Sequence, residues 1–305
     1  MYSRRPIAPP SQEVQLIQHR LTAKRTVVAV HAGVCFVLVF LAGAYGRSSA
    51  QPAAPDLIVR GDILAQQWIV RDEDIGRVCS AEEGNVTPGR RRIVRFTVMT
   101  PNIGSADIRL GDPNDHVAAD DGLYELATCH RHYHFRHYAL YELVGANDYV
   151  WKAAKRGFCM LDTDPNPAYY GQAPKAGEFR SCGAIGIPGN QGISMGWADT
   201  YRFTLAGQYF VLDGGDGQPV VPSGSYRIRI TVNPPFVAKR NEPCPNVDSA
   251  GYCHQLPEGD YTNNIVEVPI FIPAHPGREG AGPLAGNTEA AEEDDCHPAT
   301  GPTKK

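Results

Sequence analysis

Cys129-His130-Arg131-His132-Tyr133-His134-Phe135 is the stretch from which the rest of the chain can be read. Its three histidines stand at i, i+2 and i+4. In an extended strand alternate side chains point to one face, so His130, His132 and His134 would project together and could close on a single metal ion. On a helix His132 would lie about 200° round from His130, and only the i, i+4 pair would meet. The neighbours Tyr133, Phe135, Tyr138, Leu140, Tyr141 and Leu143 are aromatic or aliphatic and favour a strand. One histidine on such a face is commonly a packed or solvated residue. Three in strict alternation beside a cysteine point to metal. An all-imidazole set suits copper or zinc, and copper binds more tightly on the general affinity order.

Working outward, the same period of two recurs. Val94, Phe96 and Val98 alternate with Arg95 and Thr97, and Tyr226, Ile228, Ile230 and Val232 with Arg227, Arg229 and Thr231. Tyr209 to Leu212 and Ile265 to Ile272 are short apolar runs, the second holding Pro269, which predicts an edge strand or a bulge. Turn-forming clusters separate them, among them Gly214-Gly215-Asp216-Gly217 and Asn233-Pro234-Pro235. No segment after residue 75 sustains the helical period. The pattern predicts an all-β body, a β-sandwich with long loops, preceded by one N-terminal apolar helix.

That helix is residues 26–45, which carry no charge and follow Arg20, Lys24 and Arg25. A basic flank before an apolar run is an export signal. The run exceeds a cleavable signal core and just reaches a full membrane span of about 20 residues. The body is thus expected outside the cytoplasm, secreted or anchored by that segment, and no other part is expected to touch a membrane. The expected organisation is a basic leader at 1–25, the signal or anchor at 26–45, a linker at 46–54, a body at 55–273 and a disordered acidic tail at 274–305. Residues 46–305 carry 24 basic and 32 acidic side chains, which argues against a nucleic-acid partner. The 8 cysteines fit an oxidising compartment, and no CxxC pair suggests a zinc ribbon. Cys244 and Cys253 bracket a short loop and form the local bridge the spacing predicts.

Several colinear stretches resemble the lysyl oxidase family, secreted copper amine oxidases with a peptide-derived quinone. They are PDLIV at 55–59, CSAEE at 79–83, NIGSADIRL at 102–110, CHRHYH at 129–134, KRGFCMLDT at 155–163, GISMGWADTY at 192–201, VNP at 232–234 and DYTNN at 260–264. The resemblance implies that His130, His132 and His134 hold Cu(2+), and that residues 55–273 are the catalytic domain. It implies a lysine tyrosylquinone joining Lys155, before the F-C-x-x-D-T stretch, to Tyr201, which closes D-T-Y. Lys152 is a near alternative to Lys155. A cysteine pairing of the family implies Cys129–Cys182, tying the metal strand to the loop leading to Tyr201. His137 follows the last ligand by three residues and would face away from the ligands on a regular strand.

The implied chemistry explains the residue types. Copper and O2 oxidise the tyrosine ring, and a neutral lysine amine adds to it. Lysine has an ordinary pKa near 10.4, so Lys155 needs desolvation or nearby positive charge to become a nucleophile. A primary amine or peptidyl lysine would then be converted to an aldehyde with O2, releasing peroxide and ammonia, with Asp199 a candidate base. The sequence departs from the animal enzymes in lacking their further histidine in the Ala139–Leu143 stretch. It also has Trp197-Ala198 before D-T-Y, and an added segment at 239–256. A microbial origin fits these departures. Two other readings stay open: a non-catalytic extracellular metal-binding β-sandwich serving adhesion or metal capture, and zinc as the occupant.

Overall fold

A computed structural model describes residues 53–166, 177–239 and 242–277. The leader, the apolar run at 26–45, Cys35, Cys296 and almost all of the tail lie outside the described residues. Among the described residues no helix is long and apolar enough to cross a membrane.

Among the described residues the body is all-β, with strands in small antiparallel sheets and three helices of six or seven residues. The largest sheet runs Ile265–Ile272, Gly224–Val232, Ala139–Val144, Val150–Lys152. Its central strand carries Ile228, Ile230 and Val232, all fully buried, which is what their alternation demands. Ile265–Ile272 is an edge strand, so Pro269 costs no ladder donor needed on a second side. A three-stranded sheet of Trp68–Ile75, Gly89–Phe96 and Tyr209–Val211 meets this one through aromatic rings. Phe96 stacks on Phe210 at 4.7 Å and meets Tyr141 edge-on at 5.5 Å. Tyr141 in turn meets Phe158 at 5.1 Å, which carries the core toward the histidines.

The strand Gly89–Phe96 is buried on both faces at its end. Arg95, predicted to face outward by alternation, is fully buried. Its guanidinium grips both carboxylate oxygens of Glu73, donates to the carbonyls of Phe203 and Leu205, and lies 5.2 Å from the Tyr209 ring centre. A buried charge survives only when so paired. At the Gly214-Gly215-Asp216-Gly217 turn all four residues have positive φ, a run that glycine permits. The one non-glycine, Asp216, is held by Thr87 and Arg91.

The motifs between the strands are polar knots. Asn102, fully buried, accepts from the amides of Asp56 and Gly104 and donates to the carbonyls of Ala106 and Ile193. Asn233, at φ 42°, binds both backbone groups of Leu256 and the Glu258 carboxylate. Asp260 caps the amide of Thr262, and the Tyr261 hydroxyl accepts from the Glu258 amide, so DYTNN is a turn-builder.

Glu258 makes one of the strongest predictions about pH. Its carboxylate receives the Leu57 amide and the side-chain amides of Asn233 and Asn264. Burial outweighs those donors and, with nearby Asp56, pushes its pKa from 4.5 up to about 7. The folded state therefore holds a proton that the unfolded chain gives up. Its stabilising effect is complete below about pH 4.5 and fades as pH rises through about 7, a loss of at most about 3 kcal/mol. Denaturant unfolding at steps from pH 5 to pH 8 should show stability falling in the parent and a flatter profile in Glu258→Gln. Parallel profiles would refute the assignment.

Candidate functional site

The three-histidine stretch is built on a hairpin. Tyr124–Ala127 pairs with His132–Phe135, with Ala127 opposite His132 and Glu125 opposite His134. Tyr133 and Phe135 face the core, where Phe135 meets Tyr124 edge-on, and the histidines take the other face. The expected arrangement of three histidines on one strand is corrected here. His130 lies in the four-residue loop before His132–Phe135, not on it. Arg131 adopts φ 59°, and its amide closes the loop on the Ala127 carbonyl at 2.7 Å. That left-handed residue turns the His130 ring back to lie parallel to His132, their centres 5.3 Å apart.

The three rings present ligating nitrogens that all lie within 4.8 Å of one another. His132 Nε2 and His134 Nε2 are 3.0 Å apart, a spacing that suits two nitrogens each about 2 Å from a common ion. His130 and His134 are nearly sealed from solvent, at 6% and 3% exposure, and neither His130 ring nitrogen has a hydrogen bond. Burial, aided by Lys155 and the other two histidines, pushes the His134 pKa far below the ordinary histidine value. A neutral imidazole is the form a metal takes. The donor set and the orphaned nitrogens thus fit copper or zinc.

Lys155 and Tyr201, 46 positions apart in the chain, come together. Lys155 Nζ lies 5.1 Å from the Tyr201 ring centre and 5.9 Å from that of Phe158. The Lys155 amide donates to the Gly207 carbonyl. Tyr201 ends the strand Trp197–Tyr201, and its hydroxyl donates to the Cys159 carbonyl and accepts from the Cys159 amide. Burial first, then the neighbouring Asp199, holds that hydroxyl protonated well above the ordinary tyrosine range. Lys152 is exposed on Val150–Lys152, where its backbone is bound by the Gln218 side chain.

Asp199 is buried beside them, and its Oδ2 has no hydrogen-bond partner. Desolvation raises its pKa well above the ordinary carboxylate range, against the pull of the Tyr201 hydroxyl and Lys155. His137 is exposed, at φ 62°, and stacked on Phe236; it is not among the grouped histidines.

The expected Cys129–Cys182 bridge is not formed. The bridges are Cys79–Cys129, Cys159–Cys182 and Cys244–Cys253. Cys129 rides in the hairpin loop, so its thiol reaches the helix Cys79–Gly84 rather than the 181–183 segment. That segment instead runs beside Tyr133, whose amide donates to Gly183, and Cys182 closes on Cys159.

Three residues matter that sequence reasoning gave no role. Gly157 packs against the His134 ring so closely that a Cβ would fall 1.8 Å from Nδ1. Gln191, fully buried, donates to the carbonyls of Tyr133 and Cys182 and accepts the Met160 amide, joining the ligand strand to both sides of a disulfide. Glu83 stands with Oε1 3.1 Å from His130 Nδ1. The signal for Glu83 was its place in CSAEE, four residues after Cys79 and so on the same helical face.

Fold and site together define an all-β protein with a trio of histidines, two of them buried, and a lysine set close to a tyrosine ring. The family profile described as lysyl oxidase matches residues 74–250. The chain belongs to the lysyl oxidase family. It is similar to lysyl oxidase homolog 2 of Bos taurus, 30% identical over 246 residues, which is 76% of this chain and 26% of that one. The same homolog from Homo sapiens is 29% identical over 238 residues, covering 73% and 25%. Lysyl oxidase homolog 4 of Homo sapiens is 27% identical over 251 residues, covering 77% and 27%. The chain thus spans about a quarter of the length of the relatives it matches.

Proposed function

We propose that this chain is an exported copper amine oxidase that makes lysine tyrosylquinone from Lys155 and Tyr201. It would deaminate primary amines, peptidyl lysine or small amines, to aldehydes with O2, releasing peroxide and ammonia. The observation that carries this reading is the 5.1 Å approach of Lys155 Nζ to the Tyr201 ring, on a segment packed against the His134 ring through Gly157. A metal-binding module has no use for that pairing.

His130, His132 and His134 would hold copper; their donor chemistry also admits zinc. Once formed, the quinone supplies the electrophilic carbonyl and electron sink for amine oxidation. The rest falls to the chain itself. The ammonium of Lys155 rests near the face of Tyr201 at cation–π range, so the two are drawn together before any bond forms. Lys155 must lose a proton before it can add, and Asp199, whose carboxyl feels the Lys155 charge, would take it when ionised. Cys159 fixes the Tyr201 ring through both backbone groups, while Phe158 and Tyr138 wall it at 5.3 and 6.5 Å and keep water from that side. We read residues 55–273 as the catalytic domain, its sheets packed as a sandwich. Three disulfides support an extracytoplasmic body, with membrane contact only through residues 26–45.

Peptide mass mapping of the full chain matured with copper in air tests this. A covalently joined Lys155–Tyr201 species is expected, absent from Lys155→Ala and Tyr201→Phe. Peroxide release from a primary amine should stop on adding a carbonyl reagent. Unmodified peptides in the parent would leave only a metal-holding β-sandwich.

A further inference from the structure

His130 differs from the other two ligand candidates. It sits on a loop, not a strand, and a loop residue has no ladder of hydrogen bonds to fix its ring. Both its nitrogens are buried and unbonded. Only one can face an ion shared with His132 and His134, which turn their Nε2 atoms toward each other. The other needs a partner, or its buried N–H costs about 1–3 kcal/mol.

Glu83 Oε1 lies 3.1 Å from Nδ1 but does not meet the geometry of a hydrogen bond. Oε1 is itself buried without a hydrogen bond. Two orphaned atoms of complementary chemistry therefore lie within hydrogen-bonding distance of each other. The carboxylate is not adventitious. Glu83 lies one turn from Cys79 on the short helix Cys79–Gly84, and Cys79 is covalently joined to Cys129, the residue before His130. One disulfide thus brings donor and acceptor into register.

We infer that Glu83 is the positioning residue of the metal site. Its carboxylate accepts the Nδ1 proton of His130, which fixes the tautomer that leaves Nε2 for the metal and fixes the ring plane on the loop. Carboxylate–histidine–metal pairs of this kind restrict ligand orientation, and their loss lowers affinity by roughly 10- to 100-fold. The inference rests on the reading that the trio holds copper.

The test uses the full chain as parent, Glu83→Gln and Glu83→Ala. In the metal-free parent, nitrogen NMR of the neutral His130 ring should place its proton on Nδ1. Glu83→Ala should shift the ring to a tautomer mixture, and Glu83→Gln, which keeps an acceptor oxygen, should hold the parent's form. Copper titration should show an affinity loss of roughly 10- to 100-fold in Glu83→Ala, largely rescued in Glu83→Gln. Pulsed EPR of the copper form should show the remote nitrogen of one imidazole changed in Glu83→Ala. A folded Glu83→Ala chain with parental tautomer, copper affinity and spectrum would overturn the inference, as would equal losses in both variants. Failure of the parent itself to bind copper would sink the oxidase reading instead, while the metal-free NMR would still judge Glu83.

Discussion

Gly157→Ala should weaken copper binding by the full chain. The added methyl group would stand 1.8 Å from Nδ1 and 2.3 Å from Cε1 of His134, where no real carbon sits. Backbone geometry offers no relief, because the Phe135 amide donates to the Phe158 carbonyl at 2.8 Å and clips the two segments together. The imidazole must swing away, and with it one of three ligands. An affinity loss of at least about 100-fold, some 2.7 kcal/mol, is expected in competitive copper titration. The overpacked ring should also lower stability by about 1–3 kcal/mol. Arg156→Ala, at an exposed neighbour, should leave copper affinity within about threefold of the parent. Parental affinity in Gly157→Ala would mean that His134 is not a ligand.

The second large effect concerns Cys79–Cys129. The bridge closes residues 50 apart, so chain entropy assigns it about 4 kcal/mol of stability, an upper figure if the reduced chain keeps structure. Cys79→Ser with Cys129→Ser should lower the denaturant midpoint accordingly and weaken copper binding, since the loop holding His130 is then free of the helix. Removing Cys244–Cys253, separated by only 9 residues, should cost about 2.7 kcal/mol at most and leave copper binding alone. Equal copper affinities in both double variants would show that the loop needs no such fastening.

Alternation made the strands Gly224–Val232 and Ile265–Ile272 readable, because one face of each is apolar and the period is two. His132 and His134 were readable for the same reason. His130 was named as a ligand candidate but its place in a loop was not legible, since Thr128-Cys129-His130-Arg131 contains no glycine or asparagine to announce a left-handed residue, yet Arg131 takes that conformation. Cysteine pairing is a tertiary fact: the hairpin turn decides which thiol Cys129 meets. Asn102, Gln191 and Asp162 were opaque for a different reason. Polar side chains at such positions suggest solvent, yet these are buried and knit separate segments together. Asp162 alone accepts the amides of Glu178, Phe179 and Ser194 and the Ser194 hydroxyl.

The buried guanidinium of Arg95 reaches beyond its own sheet. Two of its bonds end on the carbonyls of Phe203 and Leu205, the second and fourth residues past Tyr201. The exit from the tyrosine is therefore moored to Glu73 on a distant strand. Lysine there would lack the fork to hold both ends at once. A change at Glu73 or Arg95, remote from any metal ligand, would travel down this mooring and reset where the Tyr201 ring comes to rest.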